Sequence, residues 1–126
     1  MWEELTRLIS WWDLPWCLGG DFNIIHFPSE RLGAASYTQA TYGFSNFISL
    51  HGLMDIPMEG GFYTWSNSSS ASRIDRFLCS PLLADQFTMF SQKRLSKVLS
   101  DHFPILLDGG EVIGEVELLF ILKICG

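Results

Sequence analysis

Apolar positions along the chain switch between helical and strand spacing. Trp2, Leu5, Leu8, Ile9 and Trp12 recur every three or four residues, which predicts an amphipathic helix over 3–12, broken by Asp13–Pro15. The short run Trp16-Cys17-Leu18 ends at Gly19-Gly20 and predicts a buried strand that delivers Asp21 and Asn23 at its C-terminal end, with Ile24 and Ile25 as its candidate extension. Pro28, Gly33 and small polar residues mark a loop over 27–37. Thr38 is the candidate N-cap of a helix carrying Phe44, Phe47, Ile48 and His51, which Gly52 ends. Met54–Gly61 is rich in turn formers, Phe62–Trp65 has strand character, and Asn67–Ser72 is expected to be a flexible polar connection. Ile74, Phe77 and Cys79 with polar Asp75 predict a strand over Arg73–Cys79. Pro81 opens a helical turn reaching Gln86. Phe87–Leu99 is expected to be extended or mixed, and Phe103–Leu107 a last apolar strand after Ser100-Asp101-His102.

This order of elements implies an α/β (α+β) sandwich, with a mixed sheet covered by helices on one face. What covers the other face is not evident from the pattern. The length of 126 residues fits one domain, and 48% hydrophobic with 14% aromatic content supports a packed core. Five Trp and ten Phe imply either a dense core or surfaces that another body covers.

Charge narrows the function classes. A net charge of −6 argues against non-specific nucleic-acid binding through a basic face. It is compatible with a metal nuclease, whose site is itself acidic. Six of the eight basic residues, Arg31, Arg73, Arg76, Lys93, Arg94 and Lys97, concentrate positive charge around the later motifs. Cys17, Cys79 and Cys125 lack metal-ligand spacing and read as reduced thiols, the first two buried in strands. Nothing resembles a signal peptide, and the longest apolar run near the end, Leu118–Leu122, is far below a membrane span; an intracellular protein, nuclear or cytoplasmic, is expected.

Each polar motif is weak alone: a Gly-Gly-Asp is usually a turn, and an Asp-His pair is usually surface. Together they gain weight, because Asp21, Asn23, Asp75, Asp101 and His102 each fall at or near the end of an apolar strand. Carboxylates beside a histidine are also what phosphodiester hydrolysis needs: a base for water, a clamp for phosphate oxygens and an acid for the leaving group.

The segments Pro15-Trp16-Cys17-Leu18-Gly19-Gly20-Asp21-Phe22-Asn23, Thr64-Trp65-Ser66, Arg73-Ile74-Asp75-Arg76-Phe77-Leu78 and Ser100-Asp101-His102-Phe103-Pro104-Ile105 resemble, in that order, the endonuclease/exonuclease/phosphatase superfamily. The wording is most similar to endonuclease domains of plant LINE-type retrotransposons. The resemblance implies the C-terminal half of a two-sheet, deoxyribonuclease-I-like domain over 1–109, acting on DNA with Mg²⁺ or Mn²⁺. By position, Asp21 resembles the residue that orients the attacking water and Asn23 the one that holds the scissile phosphate. His102 resembles the histidine facing the phosphate, Asp75 its orienting carboxylate and Asp101 a metal-proximal carboxylate. Arg73 and Arg76, flanking Asp75, are weaker candidates for a phosphate contact or an ion pair, and Trp65 reads as packing first and as a substrate contact second. Lys93, Arg94 and Lys97 are candidates for a DNA backbone, with a solvated loop as the plainer reading. His26 and His51 read as structural.

The family's first half supplies an early Asn, the main metal-binding Glu and another His or Tyr, none of which has a candidate here. Negligible turnover, a fragment inactive alone, is therefore expected. The sheet face that would meet the missing half is expected to be bare, inviting that half or self-association. Residues 110–126, acidic and then apolar, read as a divergent, frame-shifted tail, or else as a terminal strand over Val116–Ile124 on the sheet edge. Two rival functions remain open: a non-catalytic module binding nucleic acid or protein, and a phosphoesterase of the same superfamily acting on small molecules.

Overall fold

Period-two alternation along two paired strands divides the interior into two cores. The computed structural model describes residues 2–10, 15–33, 36–85, 91–97, 100–108 and 119–123. The elements run α1 (Trp2–Ile9), β1 (Trp16–Asp21), a 3-10 turn (Pro28–Glu30), α2 (Gln39–His51), β2 (Met54–Asp55), β3 (Met58–Glu59), β4 (Trp65–Ser66), β5 (Ala71–Ser72), β6 (Asp75–Cys79), α3 (Pro81–Ala84), β7 (Ser91–Arg94), β8 (Ile105–Asp108) and β9 (Leu119–Lys123). The fold is mixed α/β with three small sheets, ordered β2-β6-β1-β9, β3-β7-β8 and β4-β5. In the first sheet β1 is antiparallel to β6 and parallel to β9, so the sheet is mixed.

One face of β1 and β6 presents Trp16, Leu18 and Leu78 to the two long helices, where they join Ile9, Phe44, Phe47 and Ile48. Trp2 stacks on Phe47 and Phe44 with centroids 4.9 and 5.3 Å apart, tying α1 to α2. α2 begins where Thr38 Oγ1 accepts from Thr41 N, and ends at Gly52 in the left-handed region (φ 60°).

The opposite face presents Cys17 and Cys79, which pack with Ile56, Leu83 of α3, Phe77 and Leu107 of β8. The expectation of helices on one face and a bare second face is therefore corrected. α3 and the β3-β7-β8 sheet cover that second face. Gln92, fully buried, joins the layers: its Oε1 accepts from Phe77 N (3.0 Å) and its Nε2 donates to Ile56 O (2.5 Å). Gly19 is fixed by the same packing, since a Cβ there would lie 2.4 Å from the Phe77 ring.

Several boundaries differ from the sequence reading. α1 is a helix to Ile9, and residues 11–14 lie outside those described. β1 stops at Asp21 instead of running through Ile25, because Asn23 takes a positive φ of 55°. The supposedly flexible Asn67–Ser72 is an ordered hairpin: Asn67 Oδ1 accepts from Ser69 N and Ser70 N, and Ala71–Ser72 pair with β4. Within 110–126, Leu119–Lys123 form a strand parallel to β1; 109–118 and 124–126, which hold both ends of the expected strand Val116–Ile124, lie outside the described residues. No helix among the described residues is long and apolar enough to cross a membrane.

Candidate active site

Antiparallel register puts the last residue of β1 opposite the first of β6, so Asp21 and Asp75 are cross-strand partners. Both belong to the face that carries Cys17, Phe77 and Cys79, since odd-numbered residues of β1 and of β6 share a side. His102 reaches the pair from a third segment, whose backbone bridges Trp65 antiparallel. His102 Nδ1 lies 2.8 Å from Asp75 Oδ2, and its Nε2 lies 3.8 Å from Asp21 Oδ2. An ionised carboxylate only accepts, so Nδ1 carries the hydrogen and donates it to Asp75. Nε2 on the other side of the ring faces Asp21.

Local bonds fix each group. Asn23 N donates to Asp21 Oδ1 (2.8 Å), closing a turn that demands the left-handed conformation Asn tolerates. That bond holds one carboxylate oxygen and leaves Oδ2 toward the histidine. Burial pushes the Asp75 carboxyl above its ordinary value, outweighing the hydrogen bonds from His102 and Thr64 that favour its charge.

Thr64, fully buried, is the joint that sequence reasoning missed. Its Oγ1 accepts from both Ile74 N and Asp75 N (3.0 Å each), while its carbonyl accepts from Phe103 N (2.7 Å). One residue thus sets the spacing between the backbone of Asp75 and that beside His102. Its position in Thr64-Trp65-Ser66 was the only signal, and the motif assigns it no role.

The six residues expected around the site are placed differently from one another. Asp21, Asp75 and His102 are brought together, and the three offer ligand atoms within 4.8 Å of one another, the arrangement among the described residues able to share a metal ion. Asn23 lies beside them and is exposed. Asp101 does not join: it is exposed, and its carbonyl accepts from Ser66 N. Ser100 and Asp101 form a bend before the His102 bridge, closed by His102 N donating to Ser100 Oγ (3.1 Å). Trp65, half-buried, lies directly across from His102.

Arg73 and Arg76 are corrected from substrate contacts to structural ions. Arg76 is fully buried and points to the helix side of β6, the side opposite Asp75. It donates to both oxygens of Glu30 (2.7 and 3.1 Å) and to Asp55 (2.7 Å). Arg73 precedes the strand and turns into the same cluster, pairing with Asp55 (3.0 Å) and Glu30 (3.4 Å). Burial alone pushes Glu30 up, but the hydrogen bond and charge of Arg76 outweigh it and hold the carboxyl below its ordinary value. Glu30 also accepts from His26 N and Phe27 N, and its carbonyl accepts from Arg73 N. The loop after Asn23 is thus clamped to the residues before Asp75.

The later basic residues are engaged with the protein as well. Lys97 Nζ donates to Ser66 O and Oγ, Arg94 lies over Phe103 at 3.9 Å, and Lys93 pairs with Asp108 at 3.5 Å. An apolar groove of about 910 Å³ between α1 and α2, lined by Trp2, Phe47 and Leu50, shares no residue with the Asp21–Asp75–His102 cluster.

Compared with known proteins, the chain matches no protein-family model and no curated protein.

Proposed function

We propose that the chain is a metal-dependent phosphodiesterase domain of the endonuclease/exonuclease/phosphatase type, half of a deoxyribonuclease-I-like sandwich related to LINE-type retrotransposon endonucleases, with DNA as its substrate. The observation that carries this reading is the file Asp75–His102–Asp21, with its 2.8 Å hydrogen bond and 3.8 Å gap. A carboxylate behind an imidazole fixes its tautomer and orientation, which is the arrangement of a hydrolytic base held for work. In this role Asp75 orients the ring, His102 Nε2 accepts a proton or steadies charge on the phosphate, Asp21 orients water, and Asn23 is placed for a phosphate oxygen. Trp65, across from His102, is placed for substrate contact.

A divalent ion would supply charge neutralisation at the phosphate. Asp21 would hold it through oxygen, a donor that suits Mg²⁺ or Mn²⁺, and His102 Nε2 stays free for the proton. Among the described residues no further carboxylate joins the cluster; Glu30 and Asp55 are engaged by the two arginines. The main Glu ligand of the family resembled thus has no counterpart in the cluster, and one lost contact of that kind costs on the order of 10²–10³ in rate. Turnover by the chain alone is accordingly low.

The test is nicking of supercoiled plasmid at high protein concentration with Mn²⁺ or Mg²⁺. Slow, ion-dependent nicking that disappears in His102→Ala supports the proposal. DNA binding without cleavage, unchanged in Asp21→Ala and His102→Ala, assigns the chain to a non-catalytic binding module instead.

A further inference from the structure

We infer that Cys17 and Cys79 form a dithiol site, which a small-molecule disulfide converts to a reversible crosslink between β1 and β6. This chemistry follows from strand register and sulfur geometry and is independent of any hydrolytic role. The two residues are cross-strand partners in the β1–β6 ladder. Next to them Ser80 N donates to Trp16 O (3.0 Å), which makes Trp16–Ser80 a hydrogen-bonded pair and Cys17–Cys79 a non-hydrogen-bonded one. At such positions Cα atoms approach to about 4.5 Å, inside the roughly 4.4–6.8 Å that a disulfide spans. The Sγ atoms already lie 3.7 Å apart, with the Cys79 thiol donating to Cys17. Rotation of the two side chains closes the rest of the distance to a bond of about 2.0 Å.

Burial sets when the reaction occurs. Both thiols are wholly out of solvent, enclosed by Ile56, Leu83 of α3, Phe77 and Leu107 of β8. The shared hydrogen bond and burial push the Cys17 thiol up, so the closed fold holds it protonated and unreactive. Exchange therefore starts from an opened form in which the cover of α3 and β8 has lifted. One cysteine, as thiolate, attacks a sulfur of the oxidant and releases one of its halves as a thiolate. The other cysteine then attacks the protein sulfur of that mixed disulfide and releases the second half. Two protein thiols have lost two hydrogens and two electrons, and one disulfide oxidant has become two thiols. The new bond joins residues 62 apart in the chain, so it removes much of the freedom of the unfolded chain. It also fixes β1 to β6 on the face that carries Asp21 and Asp75.

The experiment treats the full chain, alongside Cys125→Ser to remove the third thiol, with oxidised glutathione at graded ratios to the reduced form. Reactions run in buffer and in urea just below the unfolding transition, and the products are read by peptide mass mapping and by urea unfolding. The expected product in both proteins is a chain that links the Cys17 and Cys79 peptides, carries no glutathione on either and reverts with dithiothreitol. It forms about tenfold faster or more in the urea, which populates the opened form. Its unfolding constant is on the order of 10³-fold lower than that of the reduced chain. In the Cys125→Ser background, Cys17→Ala and Cys79→Ala each stop at a single glutathione adduct and gain no stability. Cysteines 17 and 79 that stay reduced, or end as two separate glutathione adducts, at every ratio even in urea overturn the inference. So does a bridge made through Cys125, or a crosslinked chain no more stable than the reduced one. A rate that urea leaves unchanged overturns the opened-form route.

Discussion

Asp75 and Arg76 are neighbours in β6, yet they serve two charge clusters of opposite character. On the helix side, Arg76 and Arg73 face Glu30 and Asp55, two cations against two anions, with Arg76 wholly out of solvent. On the other side, Asp75, Asp21 and His102 bring two carboxylates to one imidazole, and the histidine side chain keeps 34% exposure. The first cluster is closed: its charges balance and its carboxylate oxygens are engaged by guanidinium groups. The second leaves Nε2 of the histidine and a carboxylate oxygen of Asp21 facing each other across a 3.8 Å gap. Electrostatics records the same contrast, since Arg76 outweighs burial at Glu30 and lowers its pKa, whereas burial prevails at Asp75 and raises it. Charged residues crowded around a motif are therefore sorted less by their sequence position than by the side of the strand on which they fall.

The contrast breaks most visibly if the closed cluster is opened. Arg76→Met strands Glu30 and Asp55 with Arg73 as their remaining cation; losing one partner of a buried ionic cluster costs about 3–5 kcal/mol. Urea unfolding should register that loss, and a change under 1 kcal/mol, on the order of a surface pair, would show that the cluster is not closed. Thr64→Val is next, because two backbone N–H donors lose their buried acceptor, at about 1–3 kcal/mol. It should also loosen His102 from Asp75, seen as loss of the Nδ1–H hydrogen-bonded proton signal; retention of that signal would contradict the joint role of Thr64.

Acidification should separate the two sides by sign. A carboxyl with a lowered folded pKa stabilises above its unfolded value, 4.5 for Glu30, and that contribution is lost as pH falls through the folded value. Asp75 works in reverse: its raised pKa is a penalty at neutral pH that fades as pH falls toward the unfolded value of 3.8. Glu30→Gln should therefore flatten the acid limb of the stability curve, while Asp75→Asn should steepen it. Equal slopes in both variants would mean that the clusters do not differ as described. The smallest effect is expected for His102→Ala, within about 1 kcal/mol of wild type, as for other partly exposed pairs. A larger loss would make His102 a structural residue.

Much of the frame was legible in the chain. The N-cap at Thr38, the stop at Gly52 and the Pro81 turn follow from local chemistry and appear where expected. The end of β1 at Asp21 was obscured, because the apolar Ile24 and Ile25 imitate strand continuation while the Asn23 backbone turns the chain away. Polar 67–72 looked flexible because its order comes from one Asn side chain closing a hairpin, a contact invisible to composition. For the site, the file of Asp21, Asp75 and His102 was anticipated from motif order. Arg76 was misplaced because nearness to Asp75 in sequence was read as nearness in space across a strand whose sides alternate, whereas Arg73 precedes that strand and Asp101 lies in a bend. Glu30 and Asp55 gave no signal, since their partners are 18 to 46 residues away in the chain. The covering of the second sheet face by β8 and α3 was equally non-local.

The most direct test of the hydrolytic reading is the rate of ion-dependent plasmid nicking by wild type against His102→Ala, with Arg76→Met as a stability control assayed where it remains folded. A positioned base contributes about 10²–10⁴ in rate, so the account predicts slow nicking by wild type that falls at least a hundredfold in His102→Ala. Nicking at the same rate in both proteins, or nicking indifferent to removal of divalent ions by chelation, would contradict it.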